Sequence, residues 1–460
     1  MGNKKNAWLK FDNTKKEEIF SFCEGYKKYI SDCKTERESI KEAIYLAESK
    51  GYRDLKNVIS TGESLKAGDK VYYNNMDKSL ALFLIGSESI ESGMRIIGSH
   101  VDSPRLDLKP NPLYEDSELS LMETHYYGGV KKYQWVTIPL ALHGVVVKKD
   151  GTKIDVVVGE EETDPVVMVS DLLVHLASEQ QQKKATEVIA GEDLNILVGS
   201  MPLEGEEKEA VKANILKLLK EKYDFEEEDF MSAEIEIVPA GKARDLGLDR
   251  SMVAGYGHDD RICAYTSLLA LLETESVKKT SVVLLVDKEE VGSIGATGMQ
   301  SRFFENAVAE LMDRVGEYSE LKLRRALANS KMLSSDVTAA FDPNYAGAYE
   351  KKNSAFFGKG LAFAKYTGAR GKSGCNDANA EFVAWLRNVM DESDVSYQMA
   401  ELGKVDQGGG GTIAYILAEY GMEVIDCGVA LQNMHAPWEV ASKVDIYETM
   451  RGYKAFLIAE

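Results

Sequence analysis

The chain has 460 residues, 44% hydrophobic and 28% charged, with a formal net charge of −20, which is the profile of a globular protein long enough for two domains. It contains no run of roughly eighteen apolar residues that could span a bilayer, and its amino terminus, MGNKKNAWLKFDNTKKEE, lacks the apolar stretch of a secretory signal, so a cytoplasmic location is expected. The negative field disfavours nucleic acid and membrane surfaces as partners, and the five scattered cysteines, with no C-x-x-C, indicate neither a disulfide framework nor a thiolate zinc site.

In chain order, Ile40, Ala43, Ile44 and Ala47 fall at helical spacing between Glu36 and Lys50, while Leu80–Ile85 and Arg95–Ile97 read as strands. The second strand runs into Gly98-Ser-His-Val-Asp102, a His-x-Asp at a strand end. From about 105 to 248 the texture becomes short and β-rich, with a hairpin signal at Asp150-Gly151 between two β-branched runs. One helix in this block is expected to put Val211, Ile215, Leu218 and Leu219 on one face. The acidic EEED at 226–229 reads as solvated charge.

The α/β texture then resumes. Gly257-His-Asp-Asp260 opens a helix with Ile262, Tyr265, Leu268 and Leu272 on one face, followed by the apolar run Val282–Val286, which reads as a strand buried on both faces. A helix near Phe303–Leu311, strands near Met332 and Val424, and a closing helix from Ile446 complete the pattern. The fold class is therefore α/β, with a mixed, largely parallel central sheet flanked by helices. The catalytic domain is expected to be discontinuous, 1–104 and 249–460, with an inserted β-rich domain at 105–248.

Chemistry is expected where strands end. Glu289-Glu290 closes the Val282–Val286 strand; adjacent carboxylates there repel unless a cation shares the load, so one suits a metal and the other a proton. His100 could ligate a metal with Asp102 orienting its ring. Asp259-Asp260, at a helix start, could be a cap and a first-turn acid or could supply a bridging ligand. Asp336 and His435 each follow an apolar stretch. A dinuclear peptidase needs such a set: a bridging carboxylate, further oxygen or nitrogen ligands, and a separate carboxylate for the water's proton.

The segments GSHVDSPRLDLKP (98–110), GYGHDDRICAY (255–265), DKEEVGS (287–293), SSDVTAAFDPNY (334–345) and NMHAPWE (433–439) together resemble the family of aspartyl aminopeptidase and vacuolar aminopeptidase I. More distantly, the set is similar to the tetrahedral aminopeptidases. The resemblance implies a zinc-peptidase fold of the phosphorylase/hydrolase type and two divalent ions, zinc or else cobalt or manganese. It implies His100 and Asp336 on one ion, Glu290 and His435 on the other, Asp259 bridging, Glu289 as general base and Asp102 as orienter. It also implies peptide substrates with a free amino terminus, and dimers assembling through the insert into a tetrahedral dodecamer. Lys359, His175 and Gly410 of the Gly408–Gly411 loop match positions near the substrate, and a cation at Lys359 suits an acidic side chain; acidic and neutral amino-terminal residues both stay open.

Nucleotide binding is not indicated. Gly292-Ser-Ile-Gly-Ala-Thr-Gly298 lacks the dinucleotide spacing, and Gly371-Lys-Ser373 lacks the earlier P-loop glycine. The alternatives are a related metal-dependent deacylase or carboxypeptidase, which would share the acidic logic, and a non-catalytic assembly protein, which a missing ligand would favour.

Overall fold

The computed structural model describes residues 5–460; the first four residues of the amino-terminal stretch read above lie outside the described residues. Two compact units form. One comprises residues up to 102, 243–434 and 439–460, the other residues 103–242 with 435–438.

The first unit is built on a nine-stranded sheet in the order Arg53–Asp54, Lys70–Asn75, Ser79–Leu84, Ser281–Val286, Arg95–His100, Lys331–Ser335, Glu423–Gly428, Leu361–Ala364 and Tyr397–Met399. The four strands 281–286, 95–100, 331–335 and 423–428 run parallel at its centre. Ser281–Val286 also pairs antiparallel with Ser79–Leu84, so the sheet is mixed.

Side chains alternate across a strand, and both faces of this sheet are apolar. Val283, Leu285, Ile97, Leu333 and Ile425 enter one layer, packed with residues of the helices Glu36–Ser49, His258–Leu272 and Lys443–Ile458. Val282, Leu284, Val286, Ile96, Met332 and Val424 enter the other, with Phe303–Arg314 and Glu320–Ala328. Each such side chain contributes about 1.5–3 kcal/mol on burial. The helix His258–Leu272 carries the expected face of Ile262, Tyr265, Leu268 and Leu272, but almost all its other residues are buried too. It is a core helix. A five-stranded sheet of short strands, Arg244–Leu246, Met252–Gly255, Glu439–Ser442, Ala430–Gln432 and Thr338–Ala339, completes this unit.

The second unit holds a seven-stranded sheet whose paired strands are all antiparallel: Lys153–Val158, Leu140–Val147, Ala233–Pro239, Arg105–Asp116, Leu119–Tyr127, Ile196–Gly199 and Met168–Val169. Asp150-Gly151 does turn a hairpin, with Gly151 at φ +88° and Val147 paired to Lys153. The helix Ala210–Tyr223 is capped by Glu115, whose Oε2 accepts the Val211 and Lys212 amides at 2.9 and 3.0 Å. One expectation fails here and another holds in part. Leu218 does not join the buried face and is 50% exposed. The EEED run is solvated charge over Glu226, Glu227 and Glu228, which are exposed and pair at 2.8 Å with Lys220, Lys212 and Lys149, but Asp229 is buried and accepts the Glu226 amide.

Candidate metal centre

Strand register gathers the chemistry. Val286 stands opposite His100, and Ser334 opposite Gly98, so residues just past these ends meet at one rim of the sheet. His100, 2% exposed, closes its strand. Its Nε2 lies 3.2 Å from Asp259 Oδ1, 3.8 Å from Asp336 Oδ1 and 3.9 Å from Glu289 Oε2. Its Nδ1 lies 2.9 Å from the Asp102 carbonyl oxygen and 3.3 Å from Asp102 Oδ1. With Nδ1 donating to these acceptors, Nε2 is the ring nitrogen that faces the acids and the one a metal would take.

Ligand atoms of His100, Asp259 and Glu290 fall within 4.8 Å of one another, as do those of His100, Asp260 and Asp336. The electrostatics express the crowding. Burial pushes the Asp336 carboxyl well up; His100 opposes this, and the Glu289 and Asp259 charges add to it. Asp260 is raised by burial and then by Asp336. Burial alone would lower His100, but hydrogen bonds to Asp102 and Asp259 carry it well above its usual range. Several carboxylates converging on one imidazole in a buried rim call for a cation. The oxygen and nitrogen donors fit zinc or a similar divalent ion.

Asp102 does more than face His100. Its Oδ1 and Oδ2 accept the Glu289 and Glu290 amides at 3.1 and 3.2 Å, fixing the turn that carries both acids. Lys288 at φ +70° and Gly292 at φ +96° flank that turn. Asp287, buried beneath it, takes a 2.6 Å hydrogen bond from Thr297 Oγ1, and burial with the Glu36 and Asp102 charges pushes its carboxyl to about 6.

Asp259 and Asp260 are not helix caps. Both have non-helical backbone, and Gly257 occupies the cap position without a side-chain cap bond. Gly257 has φ +74°, and a Cβ there would sit 1.6 Å from Arg261 Nη2. That buried guanidinium donates to the carbonyls of Lys34 (3.0 Å), Val101 (3.5 Å) and Tyr256 (3.3 Å), tying the segments around the rim and adding positive charge.

The structure thus brings together His100, Asp102, Asp259, Glu289, Glu290 and Asp336. His435 belongs to the second unit, where its Nδ1 lies 3.0 Å from the Gly129 carbonyl oxygen. His175, also there, is exposed beside Leu172, Leu173, Val174 and Leu176. Lys359 is half-buried, between Gly358 and Gly360, whose amides donate to Asp445 at 2.7 and 2.6 Å. Gly410 is exposed, its amide donating to the Thr367 carbonyl at 3.1 Å. Arg261, Asp287 and Glu439 escaped the sequence reading, and Asp260 entered it only as the acid beside Asp259 at a helix start. Only Asp287 carried a signal, as the first acid past the apolar strand.

A buried histidine and carboxylates at the carboxyl ends of parallel strands, in a sheet covered by helices on both faces, define a metal-dependent hydrolase of the zinc-peptidase class. The family described as "Aminopeptidase I zinc metalloprotease (M18)" matches residues 29–457, and the chain belongs to it. It is 67% identical over 454 residues, 98% of each chain, to a Clostridium acetobutylicum protein named "Probable M18 family aminopeptidase 1". The crystal structure of an M18 aminopeptidase from Thermotoga maritima superposes with a TM-score of 0.95, at 45% identity over 99% of each chain. The Saccharomyces cerevisiae mApe1 dodecamer shares the fold, with a TM-score of 0.77 at 20% identity, covering 95% of this chain and 96% of that one. The chain is therefore an aminopeptidase that uses metal, and the deacylase, carboxypeptidase and non-catalytic readings are not favoured. Among the described residues, no helix is long and apolar enough to cross a membrane.

Proposed function

We propose that the enzyme removes amino-terminal residues from peptides at a dinuclear centre, with Glu289 as general base. The observation that carries this reading is the convergence of His100, Asp259 and Glu290 within 4.8 Å, with Glu289 Oε2 3.9 Å from His100 Nε2. His100 and Asp336 would hold one ion, Glu290 and His435 the other, and Asp259 would bridge them; zinc fits the donors, and cobalt or manganese would substitute. When bound, such ions supply Lewis-acid polarisation of the scissile carbonyl and acidify water. Glu289 takes the proton of the attacking water on its carboxylate and returns it to the leaving amine nitrogen. Asp102 holds the turn on which Glu289 works. Remaining acidic charge at the rim receives the free α-amino group, which makes the reaction exopeptidic.

Lys359, His175 and Gly410 are the proposed substrate-facing residues. Residues 105–248 are proposed as an assembly domain, with dimers forming a tetrahedral dodecamer in the cytoplasm. The dodecameric yeast neighbour and the exposed apolar run around His175 support assembly.

Dialysis against a chelator should abolish hydrolysis of an unblocked aminoacyl-p-nitroanilide, and zinc, cobalt or manganese should restore it. Cleavage of an amino-blocked substrate instead would refute the exopeptidase assignment. Glu289→Gln should keep its metal and lose about 10²–10⁴-fold in kcat; a surviving rate removes Glu289 from the base role. A panel of amino-terminal Asp, Glu, Leu and Met substrates decides the preference, and negligible rates on Asp and Glu would exclude Lys359 as an acid selector. Sedimentation of the purified protein reads the assembly.

A further inference from the structure

Helix geometry does not place Asp259, whose φ of −80° and ψ of 104° are extended. Its position comes from hydrogen bonds on either side. His258 is buried, with Nδ1 2.5 Å from the Tyr26 hydroxyl and Nε2 3.2 Å from the Val253 carbonyl oxygen. Asp260 Oδ2 accepts the His100 amide at 3.3 Å. Between them, Glu439 Oε2 accepts the amide of Asp259 itself at 3.0 Å.

Glu439 is 1% exposed and opens the strand Glu439–Ser442, where it stands opposite Gly255 in antiparallel register. That pairing sets its side chain against the turn leading from Gly255 to Asp259. Burial and then the Glu439 charge push the nearby Tyr26 phenol well up, so the carboxylate acts electrostatically on the same cluster. Burying a carboxylate costs several kcal/mol, and a neutral acceptor would satisfy one amide more cheaply. A charged acceptor makes a bond roughly twice as strong.

We infer that Glu439 is a positioning residue: by gripping the Asp259 amide it fixes the angle at which the Asp259 carboxylate meets metal. The inference rests on the reading of Asp259 as a bridging ligand. It assigns Glu439 no contact with substrate.

The test compares Glu439→Ala, Glu439→Gln and Glu439→Asp with Asp259→Ala, all in the full-length protein. Readouts are metal affinity by chelator competition, the visible absorption of the cobalt-loaded protein, and melting of the metal-free protein. Glu439→Ala should weaken metal binding about 10–100-fold, the usual effect of losing a group that orients a ligand, and should alter the cobalt spectrum. Glu439→Gln keeps an acceptor oxygen without the charge and should recover part of the affinity. Glu439→Asp keeps the charge but withdraws the oxygen, so it should weaken binding even if Glu439→Ala fails to fold. Wild-type affinity and spectrum in Glu439→Asp or Glu439→Ala overturn the inference, as does a Gln variant no better than Ala. If Asp259→Ala loses metal while the Glu439 variants do not, the inference about Glu439 fails alone; if Asp259→Ala keeps full metal, the bridging reading itself fails.

Discussion

Removing the Asp102 side chain should damage the Glu289–Glu290 turn more than it damages His100. Its carboxylate serves three groups: the His100 ring at 3.3 Å and the two amides at 3.1 and 3.2 Å. In Asp102→Ala the ring keeps the backbone carbonyl of residue 102, which is already the nearer partner at 2.9 Å. The two amides lose the carboxylate that accepts both of them. A buried unmade donor costs about 1–3 kcal/mol; Glu289 and Glu290 are half-buried, so water offsets part of this and the pair loses about 1–2 kcal/mol. At 1.4 kcal/mol per tenfold, metal affinity should fall about 5- to 30-fold. The kcat for an aminoacyl-p-nitroanilide should fall further, because Glu289 loses its fixed backbone. Chelator competition and steady-state kinetics on the reloaded enzyme measure both, and Asp102→Asn, with one acceptor oxygen left, should fall between. Wild-type affinity and kcat in Asp102→Ala would refute the reasoning.

The remaining tests concern the frame. Asp245 accepts from Lys27 (2.6 Å), the fully buried Lys443 (2.8 Å) and Arg250 (2.8 Å). Burial would raise its carboxyl, but these partners hold it well below the usual range. A depressed carboxylate stabilises above its unfolded value of about 4 and loses that contribution as pH falls. Asp245→Asn should therefore cost about 3–5 kcal/mol at pH 7 by leaving Lys443 unpaired, and the gap in urea melts should narrow towards pH 3; a constant gap would count against the ion-pair account. Gly257→Ala should destabilise by more than about 2 kcal/mol, since it combines left-handed backbone with displacement of a buried guanidinium, and it should lower metal content in parallel. Leu284→Ala, at a fully buried position of the central sheet, should cost about 3–5 kcal/mol by thermal or denaturant unfolding, with kcat per folded molecule preserved.

The central strands were legible because they are covered on both sides. Val282–Val286 and Leu80–Ile85 carry unbroken apolar sequence that a half-solvated strand would not tolerate, and the shorter pairs Met332-Leu333 and Val424-Ile425 mark the other two. The helix read over Glu36–Lys50 forms over Glu36–Ser49, with a capping box at Thr35 and Glu38 that agrees with its periodicity. Strands such as Arg53–Asp54 and Thr338–Ala339 are two residues long and exist only through their partners, so no local pattern could disclose them. Leu218 misled because helical spacing names a face without saying what covers it. In the site, His100, Asp259, Glu290 and Asp336 stood out by residue type at strand or turn positions. Glu439, Asp260 and Arg261 act on backbone amides and carbonyls of distant segments, a role that leaves no mark in sequence.

His100, Asp259, Glu290 and Asp336 reach the rim from four segments spread between residues 100 and 336, brought together by strand register and by the hydrogen bonds of Asp102 and Glu439 to the turns between. No excised fragment can reproduce that arrangement. Metal uptake is therefore coupled to global folding: whatever free energy ions release on binding the folded chain is withheld from the unfolded one. A lesion far from the rim that loosens the sheet should lower apparent metal affinity, and excess metal should mask it. Metal content per chain is in this sense a gauge of the native population, and the growth medium's supply of divalent ions should decide which marginal variants accumulate.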